Sequence, residues 1–497
     1  MKKIYHSLTL PRILLIVVVL VGAFFRLYNA PDRYGFDYDA TRDALISIYS
    51  AQTFQFPLHG PPSAQGDFYF GPWYYYQLIL FQLFLPLPYS AWISVTSVSL
   101  LGIIFMYLFG KTVGDWKLGI VLALFTTISP SQITAGSGLS NPDMIFTLTA
   151  GSLWIFAKIV KEKVSIWWMF GLGALIGIAI NYHFQALTLL CLIPFAIIYK
   201  KEQRIISTIL LVSGLVLVSL PYLYADVTSN WKSLSNFLFY LKDGKNQVYI
   251  PNSWTIYLRD FWPTFWSQTI GVSSIIGIML GVGTAIVYSM GLLQKKRNTI
   301  FILLSMIFTI LFIHLRYYSG ERLIYYLYYV QPFILFFVGY AIWFVLSQKK
   351  IQFIGYSILI VLFAIILPRS FKTNVSNPSH TFYTQDIQLL KSQYPHDTFS
   401  VFDCGTREKN NSQAYAFLLY HQKLLSDTEK SIVFVDDTCN VDTKIVERKE
   451  SRELMVEPDV DIHKKKIYVI DKVEGDMLIK SGWEKISPKS VYERELQ

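Results

Sequence analysis

Four charged residues crowd a short stretch near the start of the chain: Asp37, Asp39, Arg42 and Asp43, within Phe36-Asp-Tyr-Asp-Ala-Thr-Arg-Asp-Ala-Leu45. If a helix opens near Asp39, then Asp39, Arg42 and Asp43 fall at i, i+3 and i+4 on one face. Asp39 would then sit where the helix dipole keeps a carboxylate ionised. Such a carboxylate can act as general base toward a hydroxyl or amine. The same spacing also describes an ordinary N-cap with a surface Arg–Asp pair, and spacing alone favours that plainer reading. Asn141-Pro142-Asp143 puts another carboxylate at the head of an apolar run, beside the polar stretch Ser131–Ser140. On its own, Asp143 is as good a helix cap as a reacting group. His183 and Gln185 lie at a turn between apolar segments, where a single His is more often structural. Arg316-Tyr-Tyr-Ser-Gly-Glu-Arg322 sets two cations and an anion between apolar runs, followed by Tyr325, Tyr326, Tyr328 and Tyr329. Arginine at a membrane edge grips a lipid phosphate bidentately or anchors to head groups. The sequence holds no Gly-rich phosphate loop, no repeat and no convincing metal-ligand cluster.

The elements that must position these groups are apolar. Of 497 residues, 53% are hydrophobic and only 16% charged, against about 25% charged in soluble domains. Thirteen of the 34 carboxylates precede residue 370 and 21 follow it, so the apolar mass and the charge are separated. Five of the thirteen (Asp32, Asp37, Asp39, Asp43 and Asp67) lie between residues 30 and 72. The net charge of +10 does not describe a nucleic-acid surface, because the basic residues sit in short clusters between hydrophobic runs. These clusters are Lys111 and Lys117; Lys158, Lys161 and Lys163; Lys200, Lys201 and Arg204; Lys295, Lys296 and Arg297; and Lys349 and Lys350. With Lys2, Lys3 and Arg12 cytoplasmic, the positive-inside rule puts them all on one side. The expected topology is a polytopic α-helical membrane protein with 11 spans, at 12–29, 91–110, 118–134, 142–158, 165–182, 184–200, 205–224, 265–293, 299–316, 323–346 and 351–368. The first reads as an uncleaved helix, since no small-residue cleavage site follows it. The segment from Trp73 to Pro88 breaks the parity if it crosses, and its aromatic edge suits an interfacial or re-entrant helix.

Residues 1–369 thus form a membrane region and 370–497 an extracytoplasmic α/β domain, with strands expected at Phe399–Asp403, Ser431–Asp436 and Lys466–Asp471 and helices at 382–393 and 411–425. Cys404 and Cys439 lie in this tail, where an oxidising face would permit a disulfide. Cys191 reads as core filler. Every unusual polar group gathers on the outer face.

Three stretches carry a resemblance: Asp37-Tyr-Asp39-Ala-Thr-Arg42-Asp43-Ala-Leu45, then Gly60-Pro-Pro-Ser63, then Phe70-Gly-Pro-Trp-Tyr-Tyr-Tyr76. Together they resemble the first outer loop of membrane glycosyltransferases with the GT-C fold, in the bacterial branch related to dolichyl-phosphate-mannose–protein mannosyltransferases and aminoarabinose transferases. Ile128-Ser-Pro130 through Ser140-Asn-Pro-Asp143 resembles the third span and second acidic position of that family. Gly171 to Ala186, ending Asn181-Tyr-His-Phe-Gln185, resembles its glycine-rich helix pair. The resemblance covers residues 10–200 well and Arg316–Pro332 loosely.

It implies an inverting transferase that moves a sugar from a polyprenyl-phosphate donor to an acceptor protein, lipid or glycan at the outer face of the cell membrane. Asp39 maps to the loop base, with Asp37 competing, and Asp143 to a residue that orients the acceptor or assists. Arg322 or Arg316 would neutralise the departing phosphate, with Arg42, Asp43, His183, Gln185 and Tyr76 in support. Because a lipid phosphate already leaves well, no metal is required, although a divalent ion is compatible. Many relatives carry an Asp-Glu pair where Ala40 follows Asp39 here, which leaves Asp37, Asp39 and Asp43 open. A transporter or lipid flippase would need carboxylates at mid-depth, and the spans carry few. A non-catalytic scaffold is the third reading.

Overall fold

The computed structural model describes residues 9–64, 66–200, 203–243, 254–293, 298–318, 322–372, 380–403, 412–426, 430–435, 452–453, 466–471, 478–479 and 483–496. Six single helices are long and apolar enough to cross a bilayer: Leu10–Leu27, Ser90–Val113, Asn141–Lys161, Arg204–Thr228, Thr299–Tyr317 and Gln352–Phe371. Two bent pairs raise the number to eight. Trp167–Tyr182, Phe184–Tyr199 and Gln331–Ser347 are apolar but shorter. Leu10–Leu27 turns Ile13, Ile16, Val17, Leu20 and Phe24 outward, as a lipid-facing stripe does. Its one buried charge, Arg26, meets only neutral acceptors: Ser99 Oγ at 2.8 Å, Gly22 O at 3.1 Å and Thr126 O at 3.4 Å. A guanidinium with its donors occupied ties three helices together at this depth.

Two expected spans are broken. The run expected at 118–134 bends by 62° at Ser129-Pro130, giving Trp116–Ile128 and Pro130–Ser137. Pro130 lacks the N–H that would continue the ladder. Carbonyls beside the bends find side-chain donors: Ser370 Oγ donates to Ile128 O at 2.5 Å, and Ser129 Oγ donates to Thr269 O at 2.6 Å. The run expected at 265–293 turns by 93° between Trp254–Ile270 and Ser274 onward, at Gly271 with φ +91°. A side chain there would be strained and would strike Pro130. The helix expected at 323–346 starts only at Gln331, after a short 3-10 turn at Ile324–Leu327. Trp73–Phe84 has 12 residues, about 18 Å of rise against a hydrocarbon core of about 30 Å.

The loop ends sort to opposite ends of the bundle. At one end Lys161 Nζ reaches Thr112 O (2.7 Å), Lys200 Nζ reaches Val164 O (2.9 Å), Asn298 reaches Val113 O (3.2 Å) and Trp343 Nε1 reaches Asp115 (3.0 Å). At the other end the first helix and Gln352–Phe371 finish side by side, with the Phe25 and Phe371 rings 5.0 Å apart.

The C-terminal segment forms a five-stranded sheet in the order β3-β4-β2-β1-β5, with β1 Phe399–Asp403, β2 Lys430–Val435, β3 Arg452–Glu453, β4 Lys466–Asp471 and β5 Glu484–Ile486. β1 and β2 pair in parallel and the other neighbours antiparallel. The expected helices appear as His380–Gln393 and Ser412–His421. This segment docks on helix Tyr38–Thr53: Phe417 packs on Phe36 (5.6 Å) and Tyr492 on Tyr49 (4.8 Å). Cys404 and Cys439 fall outside the described residues.

Helices Trp167–Tyr182 and Arg204–Thr228 touch backbone to backbone. A Cβ at Gly173 would collide with the Leu211 carbonyl, and one at Gly214 with that of Phe170. Gly173→Leu should therefore destabilise the protein by about 1–3 kcal/mol through overpacking. Gly281→Ala, where nothing lies within 4 Å of the added methyl, should be neutral or stabilising by up to about 1 kcal/mol. Unfolding in detergent compares the two, and equal effects would contradict this packing.

Candidate active site

Helix Tyr38–Thr53 opens one residue earlier than the sequence suggests. Its N-cap is Asp37, whose Oδ1 accepts the Ala40 N–H at 2.8 Å, while Asp39 lies in the first turn. Short polar side chains at a cap satisfy an otherwise orphan N–H, and Asp37 does so with extended backbone geometry. Thr41 Oγ1 donates to Asp37 O at 2.8 Å and pins the same residue again.

One face of this helix carries a buried charge network. Arg42 Nε binds Asp43 Oδ1 at 2.8 Å and its Nη1 binds Asp39 Oδ1 at 2.6 Å. The side chains of Arg42 and Asp43 are 5% and 2% exposed, whereas that of Asp39 is 65% exposed. Tyr75, from helix Trp73–Phe84, donates to Asp43 Oδ1 at 2.9 Å. Burial raises the Asp43 pKa to about 6 against the pull of Arg42. Burial opposes the Arg42 charge, but Asp43, Tyr75 and Asp39 outweigh it and lift its pKa well above the ordinary value. Both groups are therefore ionised at neutral pH.

Asp37, Asp39, Arg42 and Asp43 line a cavity of about 1530 Å³ together with Asp143, His183 and Gln185. Asp143 sits in the 3-10 turn Asn141–Met144, which Asn141 ties to Tyr182 O at 2.6 Å. Gly138 leaves the room its carboxylate occupies. Asp37 and Asp143 lie close enough for their charges to interact. Enclosure by protein pushes the Asp37 pKa up while the Ala40 N–H holds it down. Asp37 is nevertheless open to the cavity, so its carboxylate keeps more hydration than enclosure alone implies. His183 is stacked on Phe70 (4.6 Å) and Tyr326 (5.3 Å), and its Nδ1 accepts the Gln185 N–H at 3.4 Å.

The expected phosphate-binding pair is placed differently. Neither Arg316 nor Arg322 lines the cavity. Arg316 lies over Trp254 (5.0 Å), and Arg322 lies over Tyr257 (5.2 Å) and Phe261 (5.5 Å) while donating to Tyr318 O at 3.2 Å. Their partners Trp254, Tyr257 and Phe261 come from helix Trp254–Ile270, which the 93° bend ends, while the neighbouring His314 and Tyr318 line the cavity. Tyr76 also lies outside the lining, against Phe56 and Trp73.

Sequence reasoning missed two lining residues. Arg33 faces the cavity with no carboxylate partner among the described residues; it donates to Phe25 O and, at 3.5 Å, to Phe371 O. Glu495 comes from the last helix, Pro488–Leu496. An arginine on the face opposite the basic clusters is a usable signal for the first. Nothing in the sequence points to the second.

The cavity is lined both by carboxylates, Asp37, Asp39 and Asp143 among them, and by apolar side chains, Leu187, Ile310, Leu311 and Leu315 among them. Ile310, 49% exposed, Leu311 and Leu315 all belong to helix Thr299–Tyr317, so part of the cavity lining comes from a helix long and apolar enough to cross a bilayer. Among the described residues, no group of three or more His, Cys, Asp or Glu could hold a metal.

This arrangement is the GT-C fold. ArnT of Cupriavidus metallidurans bound to undecaprenyl phosphate superposes with a TM-score of 0.59 at 12% identity, over 92% of this chain and 97% of that one. The apo form of the same protein gives 0.55 at 12% identity, over 93% and 98%. The oligosaccharyltransferase AglB of Archaeoglobus fulgidus, in complex with an inhibitory peptide and a dolichol-phosphate, gives 0.50 at 10% identity, over 86% and 70%. No protein-family model and no curated protein matches the sequence.

The two carboxylates flanking Arg42 should differ sharply on removal. Asp43→Ala strands a buried guanidinium and should cost about 3–5 kcal/mol. Asp39→Ala breaks a largely exposed pair and should cost about 0–1 kcal/mol. Thermal unfolding in detergent measures both; a larger loss from Asp39→Ala would contradict the network.

Proposed function

We propose that the protein is an inverting glycosyltransferase that moves a sugar from a polyprenyl-phosphate donor to an acceptor at the outer face of the membrane. The observation that carries this reading is a single cavity lined both by carboxylates, Asp37 and Asp143 among them, and by apolar side chains of a helix able to cross a bilayer, Ile310, Leu311 and Leu315. A donor with a long apolar chain and a polar sugar needs both kinds of lining. The relatives in the fold comparison were solved with undecaprenyl phosphate and dolichol-phosphate, which supports a lipid phosphate here.

In the proposed reaction the acceptor O–H or N–H gives its proton to a loop carboxylate as the acceptor atom attacks the anomeric carbon. The bond from that carbon to the phosphate oxygen breaks on the opposite face, and the electron pair leaves with the polyprenyl phosphate. The anomeric centre inverts. Asp37 is the preferred base: its Oδ1 is fixed by the helix cap, the residue is exposed and lines the cavity, and Asp143 in the same lining would orient the acceptor. Asp39 is the alternative, since it also lines the cavity, but its Oδ1 is tied to Arg42. The leaving group gains one negative charge, which a guanidinium stabilises in a water-poor site. Arg33 is first choice because it lines the cavity; Arg322 and Arg316 serve if the segment around Tyr318 moves. Arg42, Asp43, His183 and Gln185 hold the wall in shape. No divalent metal is needed, because the lipid phosphate leaves without one.

The topology that goes with this reading has eleven crossings, a cytoplasmic N-terminus and the C-terminal segment outside. The gathering of basic loops at one end of the bundle supports it. Lys391→Cys, in a background lacking the three native cysteines, should react with a membrane-impermeant thiol reagent in intact cells. Labelling only after lysis would reverse the topology.

The chemistry is tested with purified protein and a radiolabelled polyprenyl-phosphate sugar. Asp37→Asn keeps the cap hydrogen bond and removes the proton acceptor, so turnover should fall about 10²–10⁴-fold with donor binding retained. Asp39→Asn should fall less. The reverse order would make Asp39 the base, and full activity in both would remove the loop from the mechanism.

A further inference from the structure

Tyr38, the first residue of the site helix, is held from both sides. The Arg42 guanidinium lies 5.8 Å from its ring centre and that of Arg494 lies 6.0 Å away. The Tyr38 hydroxyl donates to Glu495 Oε1 at 3.1 Å and accepts from Arg494 Nη2 at 3.2 Å. Arg494 is already matched: Glu484 on β5 takes its Nη1 with both oxygens, at 3.0 and 2.9 Å. Glu495 then takes the Arg494 Nε at 2.9 Å as a second carboxylate on the same cation. Each guanidinium at Tyr38 thus serves two carboxylates, Asp39 with Asp43 on one side and Glu484 with Glu495 on the other. Each cluster keeps a net negative charge.

The last helix delivers Glu495 rigidly. Ser487 and Ser490 cap each other's N–H groups at its start (2.9 and 3.1 Å), Pro488 occupies the first turn, and Val491 and Tyr492 are buried. Glu495 is only 7% exposed, yet it is part of the cavity wall beside Tyr38 and Asp37. In total the wall carries five carboxyl groups (Asp37, Asp39, Asp43, Asp143 and Glu495) against two guanidinium groups, of which only Arg33 has no carboxylate partner among the described residues.

We propose that Glu495 is a specificity-determining residue for the acceptor, and that the acceptor is a hydroxyl- or amine-rich glycan without a phosphate at its reacting end. This rests on the transferase reading above. Carboxylates only accept hydrogen bonds, so this part of the wall suits a molecule rich in donors. The donor phosphate has Arg33. A second anion, on the acceptor, would compete for Arg33 and meet a wall on which carboxylates outnumber guanidinium groups five to two, so like-charge repulsion disfavours it.

Binding of three probes to the full-length protein, filled with undecaprenyl phosphate, tests this by calorimetry. The probes are a neutral tetrasaccharide of N-acetylglucosamine, its deacetylated amine form and a phosphorylated form. The expected order of affinity is amine, then neutral, then phosphorylated. Glu495→Gln should weaken amine binding about tenfold, as loss of a charge-assisted hydrogen bond does, and leave undecaprenyl phosphate binding unchanged. Glu495→Lys should narrow or reverse the gap to the phosphorylated form. Unaltered unfolding temperatures of both variants exclude a folding defect. Tightest wild-type binding of the phosphorylated probe, or unchanged amine affinity in Glu495→Gln, would overturn the proposal. The expected order of probe binding with no sugar transfer to any probe, when a polyprenyl-phosphate sugar replaces undecaprenyl phosphate, would instead count against the transferase reading alone.

Discussion

A guanidinium held in the protein interior between carboxylates is the interaction on which this site depends. Arg42 is buried at the junction of the site helix and helix Trp73–Phe84, and its charge is tolerated there only because Asp43 and Asp39 meet it. Tyr75 completes the Asp43 coordination from the neighbouring helix. The consequence is geometric. With Arg42 fixed, the rotation of helix Tyr38–Thr53 is fixed, and so is the direction in which its cap, Asp37, faces. A plain apolar contact would stabilise the helix as well, but it would tolerate sliding. A directed, charge-assisted network does not.

The broken helices serve the same end. A straight span would carry its polar end groups into the headgroup zone and leave no room at bilayer depth. The breaks at Ser129-Pro130 and at Gly271 fold short segments inward, and backbone exposed by a break is admissible only where protein partners replace the lost bonds. Ser370, donating to Ile128 O at the first break, and Ser129, donating to Thr269 O beside the second, do this across helices. The first break sets the direction of Pro130–Ser137, so Asp143 owes its position in part to a proline 13 residues before it in the sequence.

Much of this was readable in the sequence, for physical reasons. Hydrophobic runs long enough to cross a bilayer have few alternatives, and charge-poor spans with basic loops constrain their order. The tail's strands were legible because β-branched runs between polar turns have one obvious reading: β1 matches its expected bounds, and β2 is shifted by one residue. The cap was misplaced because Asp37 and Asp39 are equally good capping residues, and only tertiary packing of Arg42 against Tyr75 selects between them. The bends were not visible because an apolar run reads the same whether or not a proline within it ends the helix. Glu495 was invisible for a different reason. An acidic residue in a charged terminal helix is unremarkable until the sheet docks that helix on the site, a contact separated by more than 450 positions.

That contact changes how the C-terminal segment should be understood. It carries no catalytic motif of its own, which invites a reading as an accessory platform. Yet the site helix is clamped between two elements of unlike origin, Trp73–Phe84 from the membrane region and Pro488–Leu496 from the end of the chain, through ion-pair clusters at Arg42 and Arg494 that share the Tyr38 ring. The two clusters are chemically matched but not equivalent in exposure to change. Arg42 is fully enclosed, so its cluster can vary little without loss of the fold. Glu484 is about one-third exposed, and the helix that presents Glu495 packs through only a few buried side chains. In the proposed reading, the buried network at Arg42 holds the cavity carboxylates in register, and the partly exposed Glu484 is the point of the clamp where charge can change at least cost to stability.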